Sequence, residues 1–170
     1  MTKKEPGIKT LLAEQFALAH YKKYWFADLR SAVKGLTVKE ALWKPDKNTH
    51  SVWEITSHLY YWHHRFLTFF KEQNPGEWIG NNDHTFNITA KRDANGLKTD
   101  LKKLDALTKE FDRCIRKCTI SKLKKPLSKN YTSLWYSILM HLSAHTAYHT
   151  GQIVMMRKMH KSWNGKKNGV

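Results

Sequence analysis

The sequence predicts an all-α fold, an antiparallel four-helix bundle, and three observations carry that prediction. Apolar residues recur at helical spacing over four segments. The four prolines, Pro6, Pro45, Pro75 and Pro126, fall between those segments and interrupt none of them. No alternating pattern of comparable length argues for a strand, so helices burying their apolar stripes against one another are the expected architecture. At 170 residues, 41% hydrophobic and 12% aromatic, the chain can build one real core, and residues 1–170 are expected to form a single domain.

The first helix is expected from about Ile8 to Lys34, with Leu12, Phe16, Ala19 and Phe26 close to one face and Gly35 as its terminator. The second opens at SVWE, where Ser51 can cap the backbone and Glu54, three residues on, can complete a capping box. Along it Val52, Ile55, Leu59, Trp62, Phe66, Phe69 and Phe70 form one broad stripe, which predicts an aromatic face packed into the core. It should end near Asn74-Pro75-Gly76.

Residues 75–96 are rich in Asn, Asp and Gly and show no sustained helical period, so they predict a long connection between the second and third helices. The third helix carries a seam of Leu97, Leu101, Leu104, Phe111, Ile115 and Cys118. The fourth follows Pro126 and is expected from about Thr132 to His160. The lysine-rich tail from about residue 162 is expected to fray.

No apolar stretch approaches the roughly 18 residues of a membrane span, and MTKKEPGIKT lacks the apolar core of a signal peptide. A cytoplasmic protein with no membrane association is expected. Cys114 and Cys118, four apart inside a helix, make neither a disulfide framework nor a redox CxxC motif and are expected to be half-buried helix residues. Thirty Lys plus Arg against 14 Asp plus Glu give a formal net charge of +16. That favours anionic partners, but lysine supplies 24 of the 30 cations, scattered along the chain, and arginine, the better reader of bases and phosphates, is scarce. A solvated basic surface is favoured over nucleic-acid binding.

The stretch HLSAHTAYHTGQIVMMRK, residues 141–158, spaces His141, His145 and His149 by four, on the same helical stripe as Leu134, Ile138, Leu142, Gln152 and Met156. Several imidazoles buried together repel as cations, and as neutral rings each leaves an acceptor nitrogen seeking a donor. A divalent metal resolves both difficulties, and His-x-x-x-His aims two rings at one ion. A third ligand is needed. On the second helix His58 and His63 flank the apolar stripe on opposite shoulders, and spacing alone leaves the choice between them open.

These motifs resemble the DinB-like superfamily of metal-binding four-helix bundles. The likeness runs through LTVKEALWKPDKNTHSVWEITSHL, WYSILMHLSAHTAYHTGQIVMMRK, and the order of four helices with the long connection between the second and third. It implies a divalent ion, zinc or nickel, held by one histidine of the second helix and two of the fourth: His58 in TSHL, with His145 and His149 in HTAYHTGQI. His141 then lines the pocket, and His63, His64 and His84 are assigned structural roles. Thr150 stands where many relatives carry arginine, which removes any substrate contact from that arginine. Gly151 is expected to allow close helix packing, and Gln152 to hydrogen-bond near the site.

Three histidines leave a coordination position for water or substrate, as in catalytic sites. The resemblance implies a small-molecule substrate and a thiol S-transferase that acts with a low-molecular-weight thiol. A metal-dependent hydrolase is the second reading, and a non-catalytic metal-binding or nucleic-acid-interacting protein the third. Tyr148 and Gln152 are candidate pocket groups, and Glu54 is assigned to its capping box. No catalytic acid or base is identified, and a homodimer is the expected assembly by analogy with such bundles.

Overall fold

The computed structural model describes residues 6–77, 80–129 and 131–165, and most of these are helical. In chain order the elements are α1 Ile8–His20, α2 Leu29–Val33, α3 Val38–Leu42, α4 Val52–Phe70, a 3-10 helix Asn82–Phe86, α5 Ala94–Lys117, α6 Ile120–Leu123, β1 Pro126–Ser128, β2 Tyr131–Leu134 and α7 Trp135–Met159. Four of these are long, at 13, 19, 24 and 25 residues. They close a ring of contacts in which α1 packs on α7 and α5, and α4 packs on α5 and α7. No helix among the described residues is long and apolar enough to cross a membrane.

The start of α4 follows the expected chemistry. Ser51 N donates to Glu54 Oε2 (2.7 Å) and Glu54 N donates to Ser51 Oγ (3.3 Å), a reciprocal box that satisfies two otherwise orphaned amides. Lys44 also pairs with Glu54 (2.7 Å), so this carboxylate is fully engaged in structure. A second box, Thr37 with Glu40, opens α3 and was not anticipated.

The long first helix is not continuous. It stops at His20, and the chain passes through an irregular segment with bends at residues 24–26 before Asp28 starts α2 by accepting from Ser31 N (2.9 Å). Phe26, expected on the core face, is 45% exposed in that segment. α2 then ends just before Gly35, whose φ of +71° lets the chain turn out of the helix. The fourth long helix begins at Trp135 and not at Thr132, because Tyr131–Leu134 pair with Pro126–Ser128 as a short antiparallel hairpin.

α7 is buried on two sides. Ile138, Leu142, His149 and Met156 lie on the expected stripe, while Trp135, Leu139, Thr146 and Ile153 bury a neighbouring face. Near its C-terminus Arg157, 4% exposed, donates from Nη1 to Ala32 O (2.6 Å) and Lys34 O (3.1 Å) and from Nη2 to Ser162 O (3.2 Å). It thereby caps the last carbonyls of α2 and ties that helix to α7. Trp163 lies against the same guanidinium (5.5 Å), within the tail expected to fray; residues 166–170 lie outside the described residues. Gly151 is exposed, and a Cβ there would meet nothing within 4 Å, so close helix packing does not explain it.

Candidate metal centre

His58 stands in the second turn of α4, and His145 and His149 lie one turn apart on α7, so two rigid helices position all three rings. Their Nε2 atoms converge. His58 Nε2 lies 3.1 Å from His145 Nε2, and His149 Nε2 lies 3.0 Å from the same atom. One ligand atom from each ring lies within 4.8 Å of the others.

The far sides of two rings are fixed. Thr85 Oγ1 donates to Asn82 O (2.5 Å), so its oxygen accepts from His58 Nδ1–H at 2.5 Å. Gln152 Oε1 accepts from His149 Nδ1–H at 2.7 Å. Both hydrogen bonds hold the proton on Nδ1 and leave the Nε2 lone pair facing the cluster. Phe86 stacks on the His58 ring (4.1 Å between centroids, 10° between planes) and completes its support.

Burial keeps these rings neutral. Desolvation, reinforced by the neighbouring imidazoles, pulls His58 down to about 3. The same causes bring His145 down to about 4, and desolvation lowers His149. With His58 and His149 protonated on Nδ1, two Nε2 lone pairs face His145 Nε2, and a single N–H on that ring can satisfy only one of them. Two metal–nitrogen bonds of about 2.0–2.1 Å can span at most about 4.2 Å, and the separations of His58 and His149 Nε2 from His145 Nε2, 3.1 and 3.0 Å, fit inside that limit. The cluster can therefore hold a metal ion.

The centre opens into a cavity of about 560 Å³. Trp62, Phe66, Ile138 and Leu142 form one wall, and Asn82, His141 and Tyr148 stand at the mouth. His141 is exposed there, one turn from His145. Trp62 and Phe66, expected in the core stripe of α4, are only half-buried because they face this opening. The stripe thus divides, with Val52, Ile55, Leu59 and Phe70 in the core.

His63 is elsewhere. Fully buried, it points its Nε2 at His20 Nε2 (2.7 Å), and Thr146 Oγ1 lies within 3.2 and 3.3 Å of the two nitrogens. Each Nδ1 meets a carbonyl, Phe16 O at 2.6 Å for His20 and Leu59 O at 2.7 Å for His63. Two neutral rings bring two N–H groups to these three contacts, and a third proton would place a charge in a fully desolvated site. Burial prevails, bringing His20 down to about 4 and His63 well below its ordinary value. His20 and Thr85 escaped the sequence reading, since their partners lie 43 and 27 residues away. His64 is exposed and stacks on Tyr60 (5.8 Å), and His84 lines a separate polar cleft.

The sequence profile of the DinB superfamily matches residues 21–153. The chain belongs to the DinB superfamily. That span contains α4 and the part of α7 that carries His145 and His149, as well as Thr85, Phe86 and Gln152. No curated protein and no solved structure matches the chain in the corresponding comparisons.

Proposed function

We propose that this DinB-superfamily protein is a metal-dependent enzyme in which His58, His145 and His149 hold one divalent ion, zinc or nickel, for chemistry on a small molecule. The observation that carries this reading is the convergence of three Nε2 atoms beside an open cavity. A divalent ion supplies Lewis acidity, which makes a thiol or a water nucleophilic near neutral pH. The imidazoles suit zinc and nickel better than the hard cations that prefer oxygen ligands.

The protein's own groups then have distinct tasks. Thr85 and Gln152 hold two rings in the tautomer that presents Nε2. Phe86 covers one face of His58 and keeps water from it. The cavity on the open side admits a substrate, which favours a catalytic over a closed structural site. Transfer of a thiol to an electrophile is the first reaction to test, and hydrolysis the second.

Elemental analysis of untagged protein tests the ligand set. Near-stoichiometric metal in the parent and little in His58→Ala, His145→Ala and His149→Ala is expected. Metal retained in full by all three single variants would overturn the assignment. Turnover with a panel of thiols and electrophiles, abolished by chelation and restored by metal, separates an enzyme from a passive metal binder.

A further inference from the structure

We infer that the cavity beside the three histidines selects an uncharged substrate group, aromatic or branched-aliphatic, which lies along the wall formed by α4 and α7. This rests on the metal-centre reading above and adds to it the class of molecule that the centre serves.

Charge distribution is the first ground. The chain carries a formal net charge of +16, yet no Lys, Arg, Asp or Glu is among the described residues that line this cavity. The two helices that supply most of its lining are the reason. α4 carries only Glu54 and Arg65 as formally charged residues, and α7 only Arg157 and Lys158, at its far end. Glu54 is engaged in its capping box, Arg65 Nη1 donates to the carbonyls of Pro75, Gly76 and Glu77, and Arg157 is committed to α2. In a protein covered with lysine, this cavity has no charged side chain to pair with a carboxylate or phosphate away from the metal position itself.

The second ground is the wall itself. Trp62 and Phe66 lie one turn apart on α4 with their rings stacked, 5.7 Å between centroids and 27° between planes. Ile138 and Leu142 repeat that spacing on α7. Phe66 packs against the cluster that includes Ile138 and Leu142, and Trp62 lies edge-on to the His58 ring (6.4 Å), so the apolar lining reaches the imidazoles. An apolar group laid on that lining would place a reactive atom attached to that group at the three Nε2 atoms. A carboxylate-bearing thiol gains nothing from this wall and would lose hydration on entering.

Thiol probes on cobalt-loaded protein test the inference through the ligand-field spectrum, without any turnover. Benzyl mercaptan should bind at least about tenfold more tightly than 2-mercaptoethanol, as expected for burial of a phenyl group. 2-Mercaptoethanesulfonate, anionic but a poor chelator, should show no advantage over 2-mercaptoethanol. Trp62→Gln and Phe66→Gln replace half-buried rings and should leave the cobalt spectrum intact while reducing the benzyl preference to about threefold or less. 2-Mercaptoethanesulfonate binding as tightly as benzyl mercaptan would overturn the inference, as would a benzyl preference unchanged in both variants.

Failure of the parent to take up cobalt or zinc would defeat the metal-centre reading separately. The substrate-class inference is then decided on metal-free protein by saturation-transfer NMR with benzyl mercaptan. Transfer that disappears in Phe66→Gln supports it, and no transfer to the parent overturns it.

Discussion

The buried pair His20 and His63 should make the protein acid-sensitive in a way that one substitution isolates. Burial brings His20 to about 4, against an ordinary value of 6.5. Because the folded value is the lower one, the unfolded chain binds the proton first as the pH falls. The contribution is intact above pH 6.5 and is lost progressively from there down to about pH 4. At pH 5, one and a half units below the ordinary value at about 1.4 kcal/mol per unit, His20 alone removes about 2 kcal/mol. His63 acts in the same direction. Against a total stability of about 5–15 kcal/mol, that loss is readily measured. Urea denaturation at pH 7.5 and pH 5.0, followed by circular dichroism with a chelator present throughout, gives the difference for the parent and for His20→Phe. Phenylalanine can keep the ring stacked on Phe16 (4.0 Å between centroids) but does not titrate. The variant should lose about 2 kcal/mol less than the parent between the two pH values. Equal losses, within about 0.5 kcal/mol, would refute the claim that His20 is held neutral by burial.

Thr85→Val keeps the volume beside His58 but removes the oxygen that accepts from Nδ1, and it should weaken metal binding about tenfold to a hundredfold in competition with a chromophoric chelator. Arg157→Met strands the carbonyls of Ala32, Lys34 and Ser162, and an expected loss of about 2–3 kcal/mol should lower the thermal midpoint by about 5–10 °C. Gly35→Ala meets no side chain within 4 Å, so its cost should be that of the +71° φ alone, about 1–2 kcal/mol by urea denaturation.

Much of the frame could be read from local signals. Ser51 and Glu54 announce the start of α4 because a capping box is a three-residue interaction. The seam from Leu97 to Ile115 marks α5 because apolar spacing reports directly on burial. Where reading failed, the deciding partner lay far away. Phe26 keeps the helical spacing of Leu12 and Phe16 and so concealed the break after His20, although Asp28, three residues before Ser31, carried a cap signal. On α4 periodicity gives a face but not what the face meets, so Trp62 and Phe66 read as core when they border an opening. Spacing left His58 and His63 as equals; family likeness favoured His58. Their surroundings explain why they differ: Thr85 and the α7 histidines meet His58, whereas His20 and Thr146 meet His63. No pattern within α4 itself contains those partners.

The half-buried rings of Trp62 and Phe66 also bear on how such a protein diversifies. The three histidines stand on helices whose other faces are locked into the core, so their placement is tied to folding and resists change. Trp62 and Phe66 sit on the same α4 but are only half-buried, so substitution there costs less than it would in the core. A lineage can therefore change the lining of the cavity at two or three side chains while inheriting the three histidines unchanged, without a new scaffold.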